Sequence, residues 1–213
     1  MTLPAILIGA GGHARVVASM ARALNISIIG VCDPALADQG QTNWNGLAVL
    51  GADSALDGYN PAQHVLLNGI GMLPSVTTRR DFHQKFRGIG WQFATLVHPT
   101  AWVAPDVVLG VDIQVMAGAI VQPGSVLADG VIVNTRVSVD HDCSIGQHSH
   151  IAPGATLCGA ITAGQDVFVG AGATVLPSVN LGGGAIISAG STITRNVAAG
   201  ATCFGHFGQE PQV

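Results

Sequence analysis

From Val103 the chain reads VAPDVV LGVDIQ VMAGAI VQPGSV LADGVI VNTRVS (103–138), VDHDCS IGQHSH IAPGAT LCGAIT AGQDVF VGAGAT (139–174) and VLPSVN LGGGAI ISAGST ITRNVA AGATCF (175–204). That is 17 hexads over 102 residues with no slip in the frame. The first position is Val, Leu or Ile in 15 hexads and Ala in the other two, and the fifth is always Val, Ile, Ala, Ser or Cys. A period of six is neither helical (about 3.6) nor that of a lone strand (about 2). It is the signature of a hexapeptide-repeat parallel β-helix. Each hexad makes one flat side of a triangular coil. The first residue fills the interior, the small fifth fits the corner, and Gly, Asn, Asp and Pro gather where the chain turns. Three hexads per coil predict a little under six coils, and roughly 4.8 Å per rung makes the prism on the order of 27 Å tall.

Working outward, the residues ahead of the prism follow a different pattern. Residues 4–8 (PAILI) read as a buried strand, Gly9-Ala10-Gly11-Gly12-His13 as a turn, and Ala14–Leu24 as a helix with apolar spacing at Val16, Val17, Met20 and Leu24. Ile26–Val31 is a second apolar run that ends in Cys32-Asp33-Pro34. Strand, glycine turn, helix, strand and acid make a βαβ unit of the nucleotide-binding kind. A third strand is predicted at His64–Leu67, ending near Asn68-Gly69-Ile70-Gly71. A helix follows over Ser75–Phe86, then a short strand over Trp91–Val97 that hands over at His98-Pro99. The predicted division is an α/β domain over 1–96 and an all-β prism over 97–213, within the size range of two modest domains.

Composition narrows the function classes. Only 9% of residues are charged, Gly is 29 of 213, and no G-x-y period exists, so the chain is neither disordered nor collagen-like. The net charge is −4, and the eight Lys and Arg form no cluster beyond Arg79-Arg80. No nucleic-acid footprint or polybasic membrane anchor is expected. Leu3–Ile8 is short and lacks the basic flank of a signal peptide, and no apolar run reaches the roughly 18 residues that span a bilayer. Cys32, Cys143, Cys158 and Cys203 form no CxxC, and Cys143 and Cys203 fall on fifth positions, so all four are expected to be reduced structural residues. A cytoplasmic, soluble protein is the resulting expectation.

The chemistry-bearing residues concentrate in NTRVSVDHDCSIGQHSH (134–150). His141 is the third residue of its hexad, so it projects outward from a corner, and a carboxylate flanks it on each side. A neutral imidazole held by a carboxylate suits a general base near neutral pH. A metal site from His141, His148 and His150 has the right residue types, but the i, i+7, i+9 spacing spreads them over different sides of the prism. His148 by itself reads as a surface histidine. In the first domain, the glycine turn at a helix N-terminus admits a phosphate, or simply makes a tight strand-to-helix turn. About three strands offer half the crevice a dinucleotide uses, so a nucleotide-linked sugar fits better, with Asp33 placed to accept hydrogen bonds from a ribose or a base.

These residues resemble the NeuD/PglD group of bacterial sugar acetyltransferases, over nearly the whole chain. The motifs carrying the resemblance are His98 to Ala101 (HPTA), Asn134-Thr135 through His141-Asp142-Cys143 to Ile145-Gly146, and Ser149-His150 through Gly154. The resemblance implies a left-handed β-helix behind a Rossmann-like domain, acetyl-CoA as co-substrate with no metal, and a homotrimer with active sites between subunits. It implies His141 as the base that deprotonates the acceptor, with Asp142 tuning it. It places His150 near the thioester of acetyl-CoA, Gly159, Ala171 and Ala189 along the cofactor arm, and Asn134 near the acceptor sugar. In the first domain it places Gly9, Ala10, Gly11, Gly12 and His13 at the nucleotide-sugar phosphates, and Asp33 and Gly71 in the nucleotide pocket. Two departures stand out: Phe204-Gly205-His206-Phe207-Gly208 replaces the family's G-x-P-A stretch near the CoA adenine, and Arg136 stands where a small residue is usual.

The expected reaction is direct acetyl transfer from acetyl-CoA to the amino group of a nucleotide-linked 4-amino-4,6-dideoxy sugar. The alternative is O-acetylation of sialic acid. A β-helix that binds a nucleotide sugar without chemistry is disfavoured by the Asp140-His141-Asp142 cluster, and a dehydrogenase by the missing dinucleotide half-site.

Overall fold

The structure is a computed structural model and describes residues 3–74 and 76–204. The chain divides into two compact units, Met1–Leu96 and Val97–Val213. In the first, β1 (Ala5–Ile8) is wholly buried, as expected of a strand covered on both faces. The helix α1 (Gly12–Ala23) buries Ala14, Val17, Met20 and Ala21, the stripe its apolar spacing predicts. Then come β2 (Ile28–Cys32), α2 (Pro34–Asp38), β3 (Asn43–Trp44), β4 (Leu47–Gly51), β5 (Val65–Asn68) and α3 (Thr78–Gly88). The sheet order is β3-β4-β2-β1-β5, parallel except for the β3–β4 pair.

The expectation of about three strands is corrected to five. The signals were in the sequence: Asp33-Pro34 caps α2 with Pro at its first turn. Asn45-Gly46, with φ of 50° and 84°, is the two-residue turn of a β-hairpin. With β1 central, the chain moves to one side through β2 and β4 and then crosses to β5 on the other side. That places the topological switch point between the ends of β1 and β5. On α3 the buried stripe is Arg79, Phe82, His83 and Phe86, and the two phenylalanines join Ile6, Ile8, Leu66 and Trp91 in the core. The predicted start of this helix at Ser75 lies outside the described residues.

The second unit is a parallel β-helix with three faces. Face I runs from Trp102–Val103 to Thr192–Ile193 in six rungs, face II from Val108–Leu109 to Asn180–Leu181 in five, and face III from Leu96–Val97 to Thr202–Cys203 in seven. Each rung spans a sixth and a first hexad position. The first points inward, giving a core column such as Val121, Val139, Leu157, Val175 and Ile193. The turn falls on positions three and four. From Asp112 to Gly190 the fourth residue is left-handed at every corner, with φ between 55° and 75°. Glycine enters that region freely, whereas other residues carry a strain of about 1 kcal/mol, least for Asn and Asp. This backbone demand explains the hexad's Gly and Asp.

The frame departs from expectation at both ends. An additional hexad, Val97–Trp102, opens the prism, with His98 N donating to Val115 O at 2.9 Å. At the far end the uninterrupted frame is corrected: Val169 pairs with Ile187, eighteen residues on, but Ile187 pairs with Cys203 and Leu181 with Val197, sixteen on. The turn after Ile193 is two residues short. The Asn196 side chain accepts the Asn180 N–H at 2.8 Å where a longer turn would offer backbone. Cys203 therefore takes a first-position slot, not a fifth.

Corner glycines at the second position set how closely coils stack. A Cβ on Gly164 would lie 2.6 Å from Gly183 N and 2.8 Å from Gly183 Cα, and both strands are held by ladder bonds such as Gly164 N to Leu181 O at 2.8 Å. Gly164→Ala is expected to destabilise the protein by about 3 kcal/mol, since backbone rather than a side chain must move. Urea unfolding measures this, and a loss below about 0.5 kcal/mol would mean the coils are looser than described.

Candidate active site

The turn from face I to face II is Asp140-His141-Asp142-Cys143. Asp140 Oδ1 accepts the His141 backbone N–H at 2.8 Å. Asp142, at φ 58°, turns its carboxylate back so that Oδ2 lies 2.8 Å from His141 Nδ1. A carboxylate only accepts, so Nδ1 carries the proton and Nε2 the lone pair. Both side chains stand in solvent, 60% and 67% exposed. The ring lies against the next coil, where a Cβ on Gly159 would sit 2.6 Å from Nε2, and Gly124 on the preceding coil leaves room for Asp142 Oδ1. The hydrogen bond to Asp142 raises the His141 pKa above its ordinary value. Slight desolvation opposes the shift, and the charges of Asp140 and Asp142 reinforce it.

The sign of a pH effect follows. His141 acts as a base only when deprotonated, and Asp142 holds on to its proton. Asp142→Asn is expected to move the acid limb of kcat/KM to lower pH. It should also lower the plateau roughly tenfold by freeing the ring orientation. A pH–rate profile with an unmoved limb would separate Asp142 from His141.

The corner from face III to face I holds a second group. Asn134 Oδ1 accepts from Thr135 N at 2.7 Å, and Asn134 Nδ2 lies 3.0 Å from His150 Nε2. His150 stands on face III between Ile132 and Phe168, edge-on to the Phe168 ring at 5.2 Å, and is 8% exposed. Ala171 and Ala189 occupy third positions of this same corner, one coil apart. With Pro153, Gly154, Gly172 and Gly190 they form an exposed track without long side chains. Arg136 is the exception. The other fourth positions stacked here are Thr100, Gly118, Gly154, Gly172 and Gly190, and Arg136 takes the left-handed φ of the four glycines, 58°, with its Cγ over Gly118.

Within one chain the structure therefore joins His141 with Asp140, Asp142 and Gly159, and joins Asn134 with His150. It sets these two groups on different corners. Gly159 belongs to the His141 corner, not to the Ala171–Ala189 track. His148 sits on the corner between faces II and III, so the three histidines do not converge. The reading of His148 as a surface residue is corrected: it is 7% exposed and packs over Gly130. All four cysteines are free. Burial pushes the Cys143 thiol up, and the Cys32 thiol up to about 12, the reverse of an activated nucleophile.

In the first unit the switch point collects the predicted residues. Gly9 needs its glycine, with φ 84°, and sits against Gly69 and Ile70; Gly71 lies against His13. Gly11 and Gly12 face open space, and α1 starts without a side-chain cap or an acid in its first turn. Its N-terminal N–H groups suit an anion. Asp33 is engaged with the turn itself: Oδ2 accepts from Ala10 N at 2.9 Å and Oδ1 from Leu36 N at 3.0 Å. A residue not singled out beforehand shapes the opposite wall. Arg79, 2% exposed, donates from Nη1 to Asn68 O at 2.8 Å and Ile70 O at 2.9 Å. Its place on the apolar stripe of α3, three before Phe82 and seven before Phe86, was the available signal. The Gly205–Gly208 departure lies outside the described residues. No helix among the described residues is long and apolar enough to cross a membrane.

Comparison with known proteins agrees. The family described as the PglD N-terminal domain matches residues 5–86. The acetyltransferase domain of PglB from Neisseria gonorrhoeae FA1090, solved with acetyl coenzyme A, is 36% identical over 95% of this chain and 96% of that one, with a TM-score of 0.87. PerB from Caulobacter crescentus, solved with CoA and GDP-perosamine, is 32% identical over 95% of each chain, TM-score 0.85. A mutant of perosamine N-acetyltransferase from the same organism is 29% identical over 95% of each, TM-score 0.81. The fold and these relatives together define a left-handed β-helix acyltransferase carrying an N-terminal α/β domain. Within that class the chain belongs to the NeuD/PglD-type sugar acetyltransferases.

Proposed function

We propose that this protein transfers an acetyl group from acetyl-CoA to the amino group of a nucleotide-linked 4-amino-4,6-dideoxy sugar, with His141 as general base. The observation that carries the reading is the His141–Asp142 bond, which aims a lone pair at solvent from Nε2. The acceptor nitrogen attacks the thioester carbonyl and gives up a proton to Nε2. A C–N bond forms, the C–S bond breaks, and the CoA sulfur leaves as a thiolate that takes the proton from Nε2 to become the thiol, which returns His141 to its starting state. No buried or exposed cysteine is needed as an acyl carrier. The side-chain-poor track of Ala171 and Ala189 accommodates the extended arm of acetyl-CoA, and Gly9 to His13, with Asp33 and Gly71, accommodate the nucleotide diphosphate. The relatives solved with acetyl-CoA, or with CoA and GDP-perosamine, support both halves of this assignment.

Because His141 and the Asn134–His150 pair sit on different corners, one chain does not assemble them. A homotrimer, with His141 of one subunit meeting Asn134 and His150 of the next, completes the site. Co-expression of His141→Ala and His150→Ala chains should then restore part of the activity that each lacks alone; no recovery would place the whole site within one chain. A thiol-release assay with acetyl-CoA against UDP-, dTDP- and GDP-linked 4-amino-4,6-dideoxy sugars, and against free and CMP-linked sialic acid, tests the acceptor. Turnover only with sialic acid would overturn the amino-sugar assignment.

A further inference from the structure

The flank of α1 that faces the β3–β4 hairpin carries positive charge with no acid set against it. Arg15, Ser19 and Arg22 fall at i, i+4 and i+7, so one exposed stripe of the helix presents all three. Opposite them, Trp44 and Leu47 are directly paired in the β3–β4 ladder and lie on one face of the hairpin. Gly46 N–H donates to Asn43 Oδ1 at 3.1 Å and fixes the turn, while Trp44, 8% exposed, ties the hairpin down. Between helix and hairpin these residues and Asn45 line an open cleft of about 320 Å3. That is the small end of the range that organic ligands occupy, roughly 300–1,000 Å3. No carboxylate lines it. No hydrogen bond or ion pair joins either guanidinium to a described residue. The helix dipole explains only one of the two cations. Arg22 stands in the last turn, where positive charge is favoured, but Arg15 is the fourth residue of α1, toward the end where it is disfavoured.

We infer that this cleft binds a phosphate monoester of about sugar size, apart from the glycine turn and from the acetyl-transfer residues. Two guanidinium forks and the Ser19 hydroxyl supply donors from three directions. That set matches the three terminal oxygens of a phosphate ester better than the two of a carboxylate. Trp44 and Leu47 give the organic body a flat apolar wall, and the Asn45 amide offers its hydroxyls both a donor and an acceptor. The site stands whether or not the protein is an acetyltransferase, since none of its residues takes part in that reading.

The test is calorimetric titration of the full-length protein with ribose 5-phosphate, inorganic phosphate and ribose. Ribose 5-phosphate should bind more tightly than inorganic phosphate, ribose should not bind, and the affinity should fall as salt is raised. Arg15→Gln and Arg22→Gln should each weaken ribose 5-phosphate by roughly tenfold or more. Both side chains are exposed, so the variants should fold. The glycine turn that starts α1 is the other seat for a phosphate. Arg22 lies ten residues past Gly12, roughly 15 Å along the helix axis, so Arg22→Gln leaves that turn alone. The Trp44 indole N–H signal, assigned by its loss in Trp44→Phe, should shift when wild type is titrated and stay in place in Arg22→Gln. No heat with ribose 5-phosphate, or binding that survives both arginine substitutions, would overturn the inference. Equal affinity for inorganic phosphate would overturn it too, because Trp44 and Leu47 would then have no part in binding.

Discussion

His141→Ala is expected to lower kcat by roughly 10²–10⁴, the largest loss from any single side chain here. The acceptor nitrogen becomes cationic as it bonds to the carbonyl carbon, and it must give up a proton for the adduct to collapse to a neutral amide. Nε2 of His141 is the atom with a lone pair held in fixed orientation by a carboxylate. Truncation should leave the fold untouched, because the ring is 60% exposed and its backbone is tied by Asp140 Oδ1 and by Ala160 N donating to His141 O at 2.8 Å. Steady-state kinetics with an unchanged thermal midpoint and oligomeric state is the expected combination. Near-normal turnover would remove His141 from the reaction.

Gly159→Ala is expected to cost on the order of 10²-fold in kcat with little change in stability. The added Cβ would stand 2.6 Å from His141 Nε2 and 2.7 Å from Cε1. What yields is the free end of an exposed side chain, so the ring moves and the coil does not. This distinguishes Gly159 from Gly164, where the obstacle is backbone. If the loss comes only through His141, Gly159→Ala should add nothing in a His141→Ala background. A double-mutant cycle with additive losses would show instead that Gly159 contacts substrate directly.

The prism was legible because its period is a backbone property repeated at every corner. The ends were not, because neither carries enough repeats to define a frame. Val97–Trp102 has Val and Ala in the inward positions but is masked by Pro99 and Trp102. The slip after Ile193 leaves Val197 and Cys203 as plausible fifth positions in the unshifted frame. In the first unit, Asn45-Gly46 marked a hairpin within a stretch otherwise too short to read as strands. His141 was readable from its two flanking acids. The Asn134–His150 contact joins residues sixteen apart across one rung, and the burial of His148 depends on Gly130 one coil back. Both require knowing how coils stack, which spacing alone does not specify for outward residues. Asp33 was placed at the right strand end, yet its bond to Ala10 N shows the acid bracing the glycine turn, a relation invisible without the turn's geometry.

The sixteen-residue last coil has a bearing on how such a chain changes length over evolutionary time. Between Val97 and Ile193 an insertion or deletion in multiples of six keeps every first hexad position inward, and one of eighteen residues also keeps each hexad on its own face. Growth there comes in whole steps, and each step would lengthen the track of Ala171 and Ala189 by one rung. Past Ile193 the described residues hold no later coil to be thrown out of phase, and the two-residue loss is absorbed by one asparagine side chain. The prism is quantised along its middle and continuous at its end, and its tolerance to length variation should follow that boundary.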